Sequence, residues 1–355
     1  MSLPDLPPLS PPSPVCDKEF VVRVATMDDA EAFTALVLDA DGTLERHAES
    51  VEASRTTIAV TRRSLAGEAS DAERGYLLLL EDVASGEVAG CIALACNIGL
   101  DQPFYDYRLG KIVHSSRRLK SYRCLDVLYL CNDLTGCSEV HSLYVRSDAR
   151  RMGAAAQLVR AAQLFIASRP AEFAPRIIGE LRGVQDGQGT SPFWEAVGRH
   201  FFKVDQRGAE RLVAKGHKAF IAELMPKYPV YLSLLPEAAQ CVVGGVHESA
   251  AALAALLEDD GFHFENHVDI FDAGRVMEAH TARLKGVADS VLLTAADAPP
   301  GCDATRWWIA SGDGADFRAT IAAGTQQGDR LLVAGDTLRR IGLTAGTAVR
   351  ALRSD

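Results

Sequence analysis

A short segment rich in arginine and containing a glycine has the composition of an anion-binding turn. Residues 150–155 read Arg-Arg-Met-Gly-Ala-Ala, an R-x-x-G-x-A pattern, and Arg146 precedes them. The apolar run 140–145 comes before the segment and the helical run 154–168 follows it, so the order is strand, tight turn, helix. Glycine lets the backbone approach a ligand, and the first turn of a helix presents free N–H groups and a positive dipole end. The pattern therefore indicates a pyrophosphate cradle, although a structural turn with surface arginines is an equal interpretation of the motif alone.

The elements around this turn are antiparallel strands first and alternating helices and strands afterwards. The predicted strands are residues 20–24, 76–80, 87–95, 127–131, 140–145 and 176–181. The predicted helices are residues 28–38, 154–168 and 192–198, and a polar and aromatic insertion covers 97–121. This succession predicts an α/β (α+β) fold in which helices cover a mixed, largely antiparallel sheet.

Four segments are expected along the chain. Residues 1–19 are predicted to be a flexible proline-rich tail, which lacks the basic start and apolar core of a secretory signal. Residues 20–205 hold the anion-binding turn, and 206–278 form a second α/β half whose weak helix–glycine–aromatic echo suggests a degenerate copy of the first. Short alternating runs predict a small β-rich domain at 279–355.

Composition excludes several classes of protein. The chain has 355 residues, of which 48% are hydrophobic and 24% charged, and no run approaches the roughly 20 apolar residues of a membrane span. A net charge of -10 disfavours nucleic acid and anionic membranes as partners and favours a cationic substrate. Eight cysteines without a C-x-x-C pair indicate reduced thiols in a cytoplasm. The hydrophobic content and the aromatic insertion are compatible with a homo- or hetero-oligomer.

Longer strings along the chain carry more specific information. They are Gly-Leu-Asp-Gln-Pro-Phe-Tyr-Asp-Tyr-Arg-Leu-Gly at 99–110, Cys-Asn-Asp-Leu-Thr-Gly at 131–136, Glu-Leu-Arg-Gly at 180–183, Ser-Pro-Phe-Trp-Glu at 191–195, Gly-Arg-His-Phe-Phe at 198–202, Lys-Ala-Phe-Ile-Ala-Glu-Leu-Met-Pro at 218–226 and Val-Asp-Ile-Phe-Asp-Ala-Gly at 268–274. Together with the turn, these strings resemble the bacterial arginine N-succinyltransferase family, a branch of the GNAT superfamily of acyl-coenzyme A dependent N-acyltransferases.

The resemblance implies a GNAT acyltransferase fold and transfer of succinyl from succinyl-CoA, as co-substrate, to the α-amine of L-arginine. This would be the first step of the succinyl route of arginine catabolism. The chain departs from the family in its Met-Gly-Ala-Ala loop, where Asp-Gly-Asn-Gly is more frequent, and in His141, where a cysteine is frequent. Two alternatives stay open: the same chemistry on ornithine or another cationic amino acid, and a non-catalytic CoA-binding partner subunit.

Direct attack on a thioester sets the chemistry that the site must perform. The amine must lose a proton and the departing thiolate gains one, while strand 140–145 is expected to polarise the carbonyl through its N–H groups. Glu139 is the first candidate for the base, with a solvated strand-end carboxylate as the alternative. Because Trp194 stands where many GNAT chains have a tyrosine acid, His200 and Tyr144 become the candidates for the acid.

The binding residues divide by charge. The residues expected to contact the coenzyme are Leu143, Val145, Arg150, Arg151, Gly153, Ala154, Ala155 and Ala156. The candidates to bind the substrate guanidinium through a carboxylate are Asp133, Glu180 and Asp186. The succinyl carboxylate calls for a bidentate arginine, either Arg108 or Arg182, and each could equally be structural. No metal is expected, because His263 and His267 have no third ligand near them in the sequence.

Overall fold

In the computed structural model the described residues, 19–40, 43–44, 46–150, 153–214, 219–298 and 305–354, build one continuous 15-stranded sheet. Its strands are β1 (Phe20–Val24), β2 (Gly75–Asp82), β3 (Val88–Ala95), β4 (Asp106–Ser116), β5 (Ser121–Cys131), β6 (Ser138–Val145), β7 (Arg176–Glu180), β8 (Val230–Tyr231), β9 (His263–Val268), β10 (Arg275–His280), β11 (Val291–Asp297), β12 (Thr305–Ser311), β13 (Arg318–Gln327), β14 (Arg330–Val333) and β15 (Ala348–Arg353). Their order is β12-β15-β11-β14-β13-β1-β2-β3-β6-β7-β10-β9-β4-β5-β8. The predicted mixed, largely antiparallel sheet is confirmed, since only β6–β7 and β11–β14 pair in parallel within the described residues.

Helices cover both faces of the sheet. They are α1 (Ala30–Asp39), α2 (Val51–Leu65), α3 (Ser147–Arg150), α4 (Ala154–Ser168), α5 (Pro192–Ala196), α6 (Gly198–Phe201), α7 (Gln206–Ala214), α8 (Ala219–Leu224), α9 (Glu237–Val242), α10 (Ala251–Asp259), α11 (Lys285–Ala288) and α12 (Gly335–Arg340). None of the helices in the described ranges combines the length and the apolar composition that crossing a bilayer requires.

Helix α4 is the central packing element. Its bounds confirm the predicted run 154–168, and nearly all of its residues are buried. Phe165 contacts Tyr76 of β2 at a ring distance of 4.8 Å on one side and Phe317 at 5.0 Å on the other. The helix is therefore clamped between the sheet and the segment that leads into β13, which fixes the position of its first turn.

The C-terminal strands close into a small barrel. Strand β12 pairs with both β13 and β15, so that β12, β15, β11, β14 and β13 form a ring of five strands. Ile309, Leu331 and Val349 are buried in its interior. The predicted β-rich C-terminal region is thus confirmed, and the pairing of β1 with β13 joins the barrel to the rest of the sheet.

The described part of residues 206–278 does not build a second sheet. Strand β10 pairs with β7 and β9 pairs with β10, so this segment completes the sheet that holds β6. The helix–glycine–aromatic echo at residues 261–262 is the connection from α10 to β9, and the suggestion of a degenerate copy stays an expectation from the sequence. The boundary at 205/206 stays an expectation from the sequence.

Helix α2 and strand β4 are among the elements that were not predicted. Helix α2 buries only Ser54, Ile58, Thr61 and Ser64, so it lacks the apolar stripe that signals a helix. Strand β4 lies within the polar insertion at 97–121 and pairs with β5 over its whole length. Most of the β4 residues after Tyr107 are half-buried or exposed, and such a strand has little hydrophobic pattern.

A buried ion pair between α4 and α10 provides a test of the packing. Arg160 bonds Asp260, whose other oxygen accepts from Gln163 Nε2 at 2.7 Å. We expect Asp260→Ala to lower the free energy of unfolding by about 3–5 kcal/mol, because it removes the buried carboxylate that pairs with the buried guanidinium of Arg160. Asp259→Ala is the matched control. Its carboxylate also bonds Arg160, at 3.1 Å, but its side chain is 60% exposed, so a loss below about 1 kcal/mol is expected. Urea unfolding of both variants would contradict this account if the two losses were equal.

Candidate active site

A large cleft lies where β6 and β7 separate. These parallel strands pair only at Ser138–Ile177 and Glu139–Ile178, although β6 continues to Val145. Beyond that point a cleft of about 980 Å³ lies between residues 140–145 on one wall and 179–182 on the other. Because pairing ends inside the sheet, backbone and side chains of both strands become available to a ligand.

Strand β6 contains a β-bulge at the cleft. The register with β3 shifts between the pairs Cys91–Tyr144 and Ala93–His141, and Ser142 has a φ of 53°, which is unusual for a residue other than glycine. The ladder with β3 is therefore interrupted at residues 142–143. This is the strand that the sequence analysis expects to polarise a carbonyl through its N–H groups, and a bulge is a common means of freeing such groups beside a site.

Two histidines hold the side chain of the bulge residue. Ser142 Oγ lies 2.9 Å from His47 Nε2 and 2.8 Å from His141 Nδ1. Burial, followed by the charges of His141 and Arg46, lowers the pKa of His47 to about 4, so its ring is neutral near pH 7. The hydroxyl is thereby fixed between two rings, which supports the strained backbone at residue 142.

The predicted anion-binding turn lies at the mouth of the cleft. Gly153 has a φ of 72° and precedes α4, whose first N–H groups lack helical partners. No atom of the described residues lies within 4 Å of a Cβ built at Gly153, so the backbone angle rather than crowding accounts for the glycine. Arg150 Nε donates to Val145 O at 2.8 Å, and its guanidinium lies 5.5 Å from the ring centre of Tyr144. A cation is thus held beside the positive end of α4.

Most of the predicted coenzyme residues come together here. Those that line the cleft are Leu143, Val145, Arg150 and Ala155. Gly153, Ala154 and Ala156 belong to the same turn and the start of α4, and Arg151 lies outside the described residues.

Arg46, which was not predicted as a site residue, links the candidate base Glu139 to the candidate substrate residue Glu180. Arg46 bonds both oxygens of Glu139, at 2.7 and 2.9 Å, and also bonds Glu180. Burial opposes the charge of the Arg46 guanidinium, but the two carboxylates outweigh it and raise its pKa above the ordinary value. Glu139 is 2% exposed, and both its oxygens face this guanidinium. In this arrangement the carboxylate of Glu139, the first candidate for the base, is paired with Arg46 rather than available to accept a proton.

Further carboxyl groups make this end of the cleft acidic. Burial, followed by the charge of Asp272, raises the pKa of Asp269 to about 7, and Asp269 lines the cleft. Asp106 is fully buried, and neither of its carboxyl oxygens has a hydrogen-bond partner among the described residues. Burial and then the charges of Glu180 and Asp269 raise the pKa of Asp106 well above its usual range. So many carboxyl groups at one end of the cleft favour binding of a cation.

Two of the unusual strings fold against each other at the floor of the cleft. Asp272 accepts N–H groups from Gly183 at 2.7 Å and Gly274 at 2.8 Å. A Cβ at Gly183 would lie 2.6 Å from Asp272 O, and one at Gly274 would lie 2.2 Å from Leu181 O. The close approach explains both glycines and places Arg182, which follows β7, at the wall of the cleft.

A histidine that sequence reasoning overlooked also lines the cleft. His247 donates its backbone N–H to Arg182 O at 2.8 Å. Its Nδ1 accepts from Ser249 N at 3.2 Å and lies 2.7 Å from Ser249 Oγ. Since Nδ1 is an acceptor, the neutral ring carries its proton on Nε2. The only sequence signal was a lone histidine two residues before Ser249, which carries no chemistry by itself.

The two predicted acids differ in position. Tyr144 lines the cleft, and its hydroxyl donates to Asp39 Oδ2 at 2.6 Å. Burial, followed by that hydrogen bond, raises the pKa of Tyr144 to about 12, which opposes loss of its proton. His200 is exposed on α6 and is not among the residues that line the cleft. Its string instead contributes Phe202, which stacks on Trp194 at 5.5 Å and so belongs to the core.

Three of the predicted substrate residues lie outside the cleft. Arg108 and Asp133 bond each other at 3.3 Å and line a second cavity of about 370 Å³. Asp186 accepts N–H groups from Gln188 and Thr190, and these bonds to its own loop lower its pKa. Of the predicted substrate residues, Glu180 and Arg182 therefore line the cleft, and the sequence could not distinguish them from the others because all five occupy strand ends or loops.

Comparison with known proteins gives consistent matches over most of the chain. Residues 20–286 match the family model described as arginine N-succinyltransferase beta subunit, and residues 291–353 match the model of its C-terminal domain. The arginine N-succinyltransferase subunit beta of Pseudomonas aeruginosa is 39% identical over 332 residues, covering 94% of this chain and 97% of that protein. The arginine N-succinyltransferase of Escherichia coli is 35% identical over 338 residues, with coverages of 94% and 97%. The solved structure of arginine/ornithine succinyltransferase subunit AI from Pseudomonas aeruginosa matches with a TM-score of 0.85 and 32% identity, covering 95% of this chain and 99% of that one.

Proposed function

The chain belongs to the arginine N-succinyltransferase family, and from this premise we propose how its cleft transfers succinyl from succinyl-CoA to the α-amine of L-arginine. One observation carries the proposal. The separation of β6 and β7 brings an anion-binding helix start, a bulged strand and an acidic pocket into a single cleft. These three parts suit a phosphate-bearing donor, a thioester carbonyl and a cationic acceptor in that order.

The donor lies along β6. The diphosphate of the coenzyme binds the first N–H groups of α4 beside Arg150, where the helix dipole and the guanidinium both favour anions. The thioester carbonyl then lies at residues 142–143, where the bulge interrupts the ladder. The succinyl carboxylate pairs with Arg182 at the opposite wall, since a guanidinium binds a carboxylate in bidentate fashion.

The acceptor occupies the acidic end. Glu180 and Asp269 bind the arginine guanidinium, and Arg46 keeps Glu139 and Glu180 charged and in place. The neutral α-amine attacks the thioester carbon directly, so that a C–N bond forms and the C–S bond breaks. The amine proton leaves to water, and the imidazolium form of His247 gives its Nε2 proton to the departing thiolate, which returns the ring to the neutral form. Holding both reactants in one cleft supplies much of the rate.

L-arginine and succinyl-CoA are the partners, without nucleic acid or membrane, as the net charge of -10 favours. The reaction needs no metal in these steps, and a cytoplasmic location suits the six free cysteines of the described residues. The β4–β5 hairpin exposes Leu119 and Tyr122 at 76% and 71%, which favours a homo- or hetero-oligomer.

A thiol-release assay tests the function directly. Purified chain is mixed with succinyl-CoA or acetyl-CoA and a panel that includes arginine, ornithine and lysine. We expect thiol to appear fastest with succinyl-CoA and arginine. A higher kcat/KM for ornithine would move the assignment to that amino acid. Binding of succinyl-CoA without thiol release from any amino acid would instead identify a non-catalytic partner subunit.

The raised pKa of Asp269 predicts how arginine binding depends on pH. Below about pH 7 this carboxyl is neutral, and above it the carboxylate attracts the guanidinium, so affinity for arginine should rise between pH 6 and 8. The rise can reach about tenfold per pH unit if one proton leaves on binding. Asp269→Asn should flatten this dependence in calorimetric titrations. Asp186→Asn, an exposed carboxylate outside the cleft, is the control and should retain the slope of the parent; a parent slope that survives Asp269→Asn would contradict the assignment.

A further inference from the structure

A cysteine, an aspartate and a histidine converge beside the second cavity. They are Cys131 at the end of β5, Asp133 just after it, and His267 near the end of β9. One ligand atom from each lies within 4.8 Å of the other two. Asp133 and His267 line the cavity of about 370 Å³, which is separate from the cleft between β6 and β7. Thiolate, carboxylate and imidazole are the donor types that zinc prefers.

The orientation of the histidine is an independent indication of a ligand. The His267 side chain is only 6% exposed, yet its Nε2 has no hydrogen-bond partner in the described part of the chain. The nearest charged oxygen is Asp133 Oδ2 at 3.8 Å. This buried ring nitrogen faces the thiol of Cys131 and the carboxylate of Asp133 at the spacing of a ligand cluster rather than of close hydrogen bonds, an arrangement that a bound ligand would satisfy.

The other ring nitrogen is fixed by a second layer of charges. His267 Nδ1 bonds Glu278 Oε1 at 2.6 Å, and Arg176 bonds the other oxygen of Glu278. A carboxylate behind the histidine sets the ring orientation and increases the basicity of the outward nitrogen, as in carboxylate–histidine–zinc sites. The chain thus has both the ligands and the support that such a site requires.

We propose that Cys131, Asp133 and His267 bind one zinc ion, in addition to the proposed acyl transfer. In a tetrahedral zinc site the ligand atoms are roughly 3.4–3.6 Å apart, given bonds of about 2.0–2.3 Å. The observed 3.8 Å between His267 and Asp133 needs only a small movement. Binding exchanges the thiol proton of Cys131 for the metal, and three protein ligands leave the fourth position to water.

The fold explains why no sequence pattern indicated this trio. His263 and His267 share a strand, but His263 Nε2 bonds Glu265 at 2.9 Å. The other ligands come from β5, which is separated from β9 by β4 in the sheet and by more than a hundred residues in the chain. Only the completed sheet brings them together.

Metal binding by the full chain tests the proposal. The protein is stripped with a chelator and dialysed against Zn²⁺, and Co²⁺ is used as a spectroscopic probe. We expect one equivalent of zinc and a thiolate-to-cobalt charge-transfer band. Cys131→Ser and His267→Asn should each weaken zinc binding by more than about 100-fold, and Glu278→Gln by about 10–100-fold. The matched controls are Cys124→Ser, an exposed cysteine on the same strand, and His263→Asn, which lines the same cavity; both should bind as the parent does.

Several outcomes would overturn the site. They are no zinc bound at stoichiometric metal, a cobalt spectrum without the thiolate band, and equal binding by the parent and the two ligand variants. A loss in His263→Asn as large as in His267→Asn would also overturn this ligand set. Circular dichroism shows whether each variant is folded, and alkylation of Cys131, slowed by Zn²⁺ in the parent, gives a readout in any variant that keeps the thiol. Because none of these measurements uses acyl transfer, failure here leaves the proposed function untouched.

Discussion

Replacing Gly153 with valine is expected to lower kcat/KM for succinyl-CoA by about 100-fold or more. Valine disfavours the φ of 72° found at this position, so the turn before α4 must move, and the added methyl groups occupy space meant for the diphosphate. A displacement of about 1 Å at a binding group can by itself cost about 100-fold in rate. Initial rates at varied succinyl-CoA, together with calorimetric binding of the coenzyme, measure the effect.

Gly86 provides the matched control for this substitution. It lies in the turn between β2 and β3, has a φ of 73°, and also has no atom of the described chain within 4 Å of a built Cβ. Valine at either position should cost similar stability, about 1–2 kcal/mol for the left-handed backbone. Only Gly153→Val should lose affinity for the donor. If Gly86→Val impaired succinyl-CoA binding equally, general destabilisation would explain both results and the anion-binding turn would be placed wrongly.

His247→Gln is expected to reduce kcat by about 10²–10⁴, the usual contribution of a positioned proton donor. Glutamine keeps a polar group of similar length but cannot give up a proton near pH 7. The KM for succinyl-CoA should change little, because the diphosphate and the succinyl carboxylate contact other residues in the proposal. The pH profile of kcat should also lose the limb that reports the acid. Rates measured from pH 6 to 9 provide both readouts.

Glu139→Gln distinguishes this assignment from the one made on sequence alone. Both Glu139 oxygens bond Arg46, so we expect the variant mainly to raise the KM for arginine by disturbing the acidic end of the cleft. Glu81→Gln is the control, because its carboxylate lies away from the cleft and bonds Arg23 at a distance of 2.5 Å. The pH profile of kcat decides between the two residues. If Glu139→Gln lost the limb that reports the acid while His247→Gln retained it, Glu139 rather than His247 would be the proton donor.

The parts of the molecule that were predictable depend on local sequence. Helix α4 and the Gly153 turn follow from a glycine, a helical run and a preceding apolar strand, all within about 30 residues. The barrel strands were also located, because each is a short apolar run between turn residues. Two of the long strings, residues 180–183 and 268–274, meet at the floor of the cleft.

The parts that were missed depend on pairing across large sequence separations. Asp269 and His247 reach the cleft because β10 pairs with β7 and so brings residues after 240 to it, whereas Arg46 reaches it from the segment between α1 and α2. No local sequence pattern indicates the pairing of β10 with β7. His200 was favoured for its string, yet the string serves core packing through Phe202 and Trp194. The residue types near a motif therefore indicated which chemistry the site could perform. The order of the strands in the sheet decided which of these residues line the cleft.

The pairing of β1 with β13 has a consequence for synthesis on the ribosome. Strand β1 pairs with β2 on one side soon after both are made, but its other partner begins at Arg318. Until then the outer edge of β1 has unpaired N–H and C=O groups, which can recruit strands of other nascent chains. Translation must therefore pass residue 318 before this edge is covered, and we expect chains stopped before that residue to aggregate rather than accumulate as a working fragment.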